Sequence, residues 1–453
     1  MAITTVNPTT AAAIASYDEM SAGDVDRVLA GVAAEQLRWA ALSPAERGSQ
    51  LARLAEILEG TATQLAELAV TEMGKPLAQA HAEVAKSVAT VRWYAKEVER
   101  LSATRPVPGT DGTAEVRLAP LGVVLAVMPW NYPVWQVIRA GIPALAAGNA
   151  LVVKHAAIVT GSALLLRDVF ATWRPNTVDF VVVRGGGVAD VIRDDRIDGV
   201  TLTGSCAAGV SVAEVAGQVL KPCVLELGGS DPFIVLPDVD VDAVVAAAVQ
   251  ARFQNNGQSC IAAKRLIVHR DVAPAFTEAF VEAVRGLRVG DPFADTTDVG
   301  PVAQSSARDE LEAIVRGSVA WGATVLTGGG RPSDQGWFVA PTVLGDVGAG
   351  CPAVVEETFG PVAALEVVAS VDDAVLRAND TAFGLGAAVW TRDTAIATAV
   401  ADRLAAGTVT INGITASDPR IPIGGTKASG YGRELGDLGL MAFTNQKSVV
   451  VKG

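Results

Sequence analysis

From Leu121 to Leu227 the chain alternates short apolar runs (LGVVLAVM, ALVVK, VDFVVV, DGVTLTG and CVLEL) with helix-like segments such as WQVIRAGIPALAAG and GVSVAEVAG. No other feature restricts the fold as much. Strands joined through helices must cross over and pair in parallel, and strands covered on both faces read as continuous apolar runs. The alternation therefore predicts a doubly wound parallel sheet, which holds ligands at the carboxyl ends of its strands. After LELGGSDP a second cycle begins, with VDAVVAAAVQARF, RLIVH and PAFTEAFVEAVRGL followed by VAALEVV and AAVWT, and predicts a second α/β domain. Ahead of both, from Ala22 to about Ser102, apolar residues recur at helical spacing, as in LARLAEILEGTATQLAELAVTEMGK, and predict amphipathic helices packed on a sheet. Two short strand-like pieces, TAEVRLAP and KSVVVK, have no evident sheet of their own and are expected at edges that pair between subunits.

At 453 residues and 50% hydrophobic composition the chain is too long for one core and has material for a deep site. A net charge of -13 argues against nucleic acid or an anionic membrane as a partner, so any anionic ligand must be held by local cations. Four cysteines without CxxC spacing and three scattered histidines suggest neither a zinc site nor a disulfide framework and fit a reducing cytoplasm. No apolar stretch approaches the roughly 18 residues that span a bilayer, and the N-terminus has no basic-then-apolar leader, so the chain is expected to be neither embedded nor exported.

The stretch QNNGQSC ends in Cys260 after a polar, glycine-containing run, a poor setting for a thiol that merely fills a core. A free thiol has a pKa near about 8.5 and reacts as the thiolate, and the amides from Gln254 to Gln258 are candidate donors to that anion. An acyl-transferring thiol also needs a base for water and a donor for the oxyanion. Glu226 in LELGG, set among apolar residues, is the candidate base, with a solvated strand-end charge as the plainer reading. Asn131 in MPWNYP is the candidate donor, with a turn former as its alternative.

Six ordered motifs, MPWNYP, TLTGS, LELGG, NNGQSC, EETFGPV and PIGGTKASGYGRE, make the chain resemble the NAD(P)-dependent aldehyde dehydrogenases from about residue 20 to its end. The resemblance implies an aldehyde dehydrogenase-like α/β fold. It comprises a Rossmann-type cofactor domain (1–105 and 124–228), an α/β catalytic domain (229–428) and a small oligomerisation β-segment (106–123 and 440–453), assembled as a homodimer or a dimer of dimers. It makes Cys260 the nucleophile, Glu226 the base that activates water, and Asn131 with the Cys260 backbone N–H the oxyanion donors. NADP, with NAD possible, would lie along Trp130, Gly204, Ser205, Glu357 and Phe359, with Lys154 near the adenosine ribose. Trp130 has ordinary core packing as its alternative. Some relatives place a glutamate where Ala157 stands, and its absence favours NADP, whose 2′-phosphate Lys154 and His155 would attract. The cofactor turn GSCAAG, Gly204–Gly209, departs from the GxGxxG pattern.

Within the family the motifs are most similar to bacterial succinate-semialdehyde dehydrogenases. The implied substrate is a small aldehyde with a distal carboxylate, with glutarate semialdehyde or a short aliphatic aldehyde as alternatives. A catalytically silent relative is disfavoured because Cys260, Glu226 and Asn131 are all present, and a CoA-acylating one because Glu226 is. Arg139, eight residues after Asn131, is the candidate carboxylate anchor, with Ser417 adding a hydroxyl. The competing reading makes Arg139 a structural arginine bound to carbonyls or to a neighbouring acid. Ala262 stands where some relatives carry a second thiol, so no CxC redox switch is expected.

Overall fold

The computed structural model describes residues 2–110 and 112–452. The predicted alternation forms a six-stranded sheet, in spatial order Gly430–Tyr431, Cys223–Glu226, Gly199–Thr203, Val123–Met128, Ala150–His155 and Val178–Phe180. All neighbours pair in parallel except the first, a late return of the chain that runs antiparallel to Cys223–Glu226. From Val123–Met128 the chain winds outward through Ala150–His155 to Val178–Phe180, then crosses back to place Gly199–Thr203 on the other side of its starting strand. The sheet thus has a switch point between Val123–Met128 and Gly199–Thr203, where the connections leave in opposite directions and open a crevice.

The second cycle forms a seven-stranded sheet, in spatial order Thr324–Thr327, Thr342–Gly345, Val362–Val368, Ala263–His269, Asp231–Val235, Gly386–Trp390 and Thr408–Ile411. Only Thr324–Thr327 is antiparallel to its neighbour. The helices Ala22–Ala40, Pro44–Gly60, Ala62–Met73 and Leu77–Leu101 occupy the expected N-terminal block. Ser21 and Ser43 start the first two with capping boxes whose acids are Asp24 and Glu46. Trp39, Leu51, Tyr94 and Val98 pack with Val124 and Ile138 in one continuous core, which fixes this block to the first sheet.

The two strand-like pieces do find a sheet within the chain. Thr113–Pro120 and Thr444–Val451 pair antiparallel over their full lengths, and Arg105–Pro106 adds a short third strand. Sequence reading left them apart because 324 positions separate the paired Pro120 and Thr444, and no local signal carries that distance. An N-terminal hairpin, Ala2–Val6 with Ala13–Asp18, was not anticipated either. Among the described residues no helix is long and apolar enough to cross a membrane.

Candidate active site

Two cavities meet at Cys260. The first, about 270 Å³, opens at the switch point and is lined by Trp130 and Asn131 after one strand, Gly204 and Ser205 after the other, and Gly228, Cys260, Glu357 and Phe359. Ser205 caps the helix Cys206–Gln218, its hydroxyl accepting from Ala208 N at 3.3 Å, so the helix start faces this space. Trp130 and Phe359 meet edge to face at 5.6 Å. Glu357 Oε1 accepts from Gly229 N at 3.0 Å, and a Cβ placed on Gly228 would come within 2.4 Å of Glu357 Oε2, so only glycine leaves this wall of the cavity bare.

The Cys260 loop is built by its polar run, though not as direct donors to the thiol. Asn255 and Asn256 adopt left-handed backbone, at φ 56° and 58°. Asn255 Nδ2 donates to Asn131 O and Gln258 O, Asn256 Nδ2 to Gly74 O and Pro301 O, and Gln258 Oε1 accepts from Ala303 N. These three amides satisfy buried backbone and hold the loop against its neighbours, which corrects the expectation that they donate to the thiolate, while Gln254 lines a cavity with Cys260. Burial pushes the Cys260 thiol up to about 11, with Arg139 and Lys264 pulling in the opposite direction. Lys264, fully buried, donates from Nζ to Ser259 O at 2.9 Å and to Cys260 O at 2.7 Å, and lies 3.3 Å from Glu357 Oε1. Asn131 Nδ2 donates to Gln258 O at 3.1 Å, which fixes its amide beside the thiol loop.

Glu226 ends the strand Cys223–Glu226, buried, with Arg139 Nη2 at 3.7 Å. Burial raises its carboxyl to about 7, while Arg139 lowers it and Glu434 raises it. Arg139 Nε is 2.5 Å from Glu434 Oε2, and Arg139 Nη2 donates to Thr203 Oγ1 at 3.0 Å. Thr201 Oγ1 donates to the other Glu434 oxygen at 3.1 Å. Arg139 therefore has the neighbouring acids of the competing reading, and its charge is already matched.

The second cavity, about 440 Å³, is lined by Cys260, Ser259, Arg139, Tyr132, Trp135, Lys86 and Ser417. Lys86 Nζ donates to Ser417 Oγ at 3.1 Å and sits 4.4 Å from the centre of the Trp135 ring. Glu83, also on this wall, is spent on Lys75 and on the Val134 and Trp135 N–H groups, at 2.8 and 2.9 Å.

Lys154 and Ala157 stand at and just beyond the carboxyl end of Ala150–His155, outside the lining of the first cavity. His155 is buried, its Nε2 paired with Pro133 O at 2.8 Å, and burial pushes its pKa down to about 4. It is neutral at pH 7 and adds no charge for a phosphate, which corrects that part of the expectation.

Sequence reasoning missed Lys86, Lys264 and Glu434. Lys264 carried a usable signal, a charge opening the apolar strand Ala263–His269. Glu434 lay inside a quoted motif without a partner to suggest its use. Lys86, in HAEVAKSVATV on a helix with other charges, read as an ordinary solvated lysine.

The sequence model of the aldehyde dehydrogenase family matches residues 1–449. A succinate-semialdehyde dehydrogenase (NADP+) of Mycolicibacterium paratuberculosis is 46% identical over 455 residues, covering 99% of this chain and 96% of its own. Succinate-semialdehyde dehydrogenase (NADP+) 1 of Mycobacterium tuberculosis is 44% identical, covering 99% of both chains. The crystal structure of succinic semialdehyde dehydrogenase from Streptococcus pyogenes with NADP+ as the cofactor superposes with a TM-score of 0.97 at 32% identity over all of both chains.

Proposed function

The chain belongs to the aldehyde dehydrogenase family, and from that premise we propose that it oxidises succinate semialdehyde to succinate with NADP. The observation that carries this reading is the pair of cavities sharing Cys260: one at the switch point of the parallel sheet, the other lined by the cations Arg139 and Lys86. The names borne by relatives at 44–46% identity support both the substrate and the cofactor.

The first cavity suits a dinucleotide. The start of the helix Cys206–Gln218 and Ser205 would hold its phosphates, Glu357 its nicotinamide ribose, and Phe359 and Trp130 its ring, while its adenosine end would extend beyond the cavity to Lys154 at the end of Ala150–His155. Ala157 places no acid against a 2′-phosphate. When bound there, NADP supplies the hydride acceptor.

Cys260, as the thiolate, attacks the aldehyde carbon through Sγ, a C–S bond forms, and the carbonyl π pair moves onto oxygen. Asn131 Nδ2 keeps one N–H beyond its bond to Gln258 O, and with the Cys260 backbone N–H it holds that oxyanion. Oxidation leaves an acyl thioester on Sγ. Glu226, held near neutrality, takes a proton from water as that water attacks the thioester carbon. The C–S bond breaks, the acid leaves and the thiolate returns.

On this reading residues 1–105 and 124–228 form the cofactor domain and 229–428 the catalytic domain. The sheet from 106–123 and 440–453 joins subunits through the outer edge of Thr444–Val451, where Val450 and Val451 are exposed. The test is a set of specificity constants without coenzyme A: succinate semialdehyde, glutarate semialdehyde and pentanal, each with NADP and NAD. Highest efficiency with succinate semialdehyde and NADP is expected, and a higher value for pentanal would overturn the substrate assignment.

A further inference from the structure

We propose that Lys86, presented with Ser417 in the cavity that also holds Cys260, is the cation that selects a carboxylate-bearing aldehyde, and that Arg139 is not. The proposal rests on the substrate reading above and names the group that enforces it.

The two candidate cations differ in what already occupies them. The Arg139 side chain is 3% exposed and held between Glu434 and Glu226, with a further bond to Thr203. A third carboxylate would have to compete with two buried acids. Lys86 forms no ion pair among the described residues. Its ammonium has the Ser417 hydroxyl and the Trp135 face as partners, and both line the same cavity. A substrate carboxylate reaching this point would accept from Lys86 Nζ and, after a turn of the hydroxyl, from Ser417 Oγ.

The charges around Lys86 allow this. Asp418 and Glu83 favour its protonated form and Arg139 opposes it, yet Asp418 is engaged by Arg420 and Glu83 by Lys75. Lys86 and Cys260 line the same cavity, so one small substrate can meet both. Burial first, and then Arg139, bring the Lys86 pKa down to about 8. The ammonium is present below that pH and lost above it, so discrimination for the carboxylate should fade as pH rises through about 8 unless the bound carboxylate holds the proton.

The experiment compares kcat/KM for succinate semialdehyde and for pentanal in the wild type, Lys86→Gln and Lys86→Arg at pH 7 and pH 9. Taking the ratio of the two substrates cancels the ionisation of Cys260 and Glu226. The expected result is a ratio that falls about ten- to a hundredfold in Lys86→Gln, matching the loss of one charge-assisted contact. Lys86→Arg should recover most of it, and the wild-type ratio at pH 9 should lie below that at pH 7 while that of Lys86→Arg does not change. A wild type with no preference for the semialdehyde would defeat the substrate reading. A wild type with that preference, retained in Lys86→Gln, would defeat the role of Lys86 alone, as would parallel losses on both substrates.

Discussion

Arg139 Nη2 and Glu226 Oε2 lie 3.7 Å apart with both side chains sealed from solvent, and Glu434 meets the same arginine from the other side at 2.5 Å. One guanidinium thus serves two carboxylates, and the three groups come from three distant parts of the chain. Buried charges of unequal number force a compromise: burial favours the neutral acid, Arg139 the anion, and Glu434 the neutral form again. The carboxyl of Glu226 settles near neutrality, where a base for water is most effective.

Cys260→Ala is expected to abolish oxidation on every aldehyde, since no other side chain can carry the acyl group between the two cavities. Turnover above a trace in a steady-state assay would exclude the covalent route.

Glu226→Gln should release one equivalent of reduced nicotinamide and then stall at the thioester, visible as a burst in rapid-mixing absorbance. In the proposed mechanism the hydrolytic step needs the carboxylate. Its rate should therefore rise with pH through about 7 and fall below it, in line with the raised pKa of Glu226. An acid limb near the ordinary carboxylate range of about 4 would show that burial does not govern this group.

Glu434→Gln should move that acid limb to lower pH. The substitution removes the nearby negative charge that raises Glu226 and leaves Arg139 to favour the Glu226 anion alone. Glutamine retains an acceptor for Thr201, so the packing survives. A limb displaced upward in the pH–rate profile would contradict the shared-cation arrangement.

Arg139→Leu should reduce efficiency on succinate semialdehyde and pentanal alike. It should also lower stability by about 3–5 kcal/mol, because it strands two buried acids. Denaturant unfolding and paired specificity constants decide this, and a loss confined to the semialdehyde would restore Arg139 as the anchor.

Ala157→Glu should swing cofactor preference towards NAD, since it adds an acid near the adenosine end of the proposed site, against a 2′-phosphate. The ratio of kcat/KM for NADP and NAD reads the change directly, and an unchanged ratio would place the phosphate elsewhere.

The sequence by itself determined the alternating architecture, the turn after each strand and the thiol proposed as nucleophile. Each of these is written in residues adjacent along the chain: apolar runs bounded by glycine and proline, and a polar loop that ends in Cys260. Tertiary structure alone decided which charges meet. Lys86 reaches Ser417 across 331 positions, and Arg139 finds Glu226 and Glu434 on a strand end and a late return of the chain that only the assembled first sheet brings together. An isolated lysine or arginine codon looks the same whether its charge is matched or free, because the energy of a buried cation depends on the anions the fold places around it. The sequence could therefore name Arg139 as a candidate but not reveal that its charge was already matched, and it gave no reason to separate Lys86 from any other lysine on a helix.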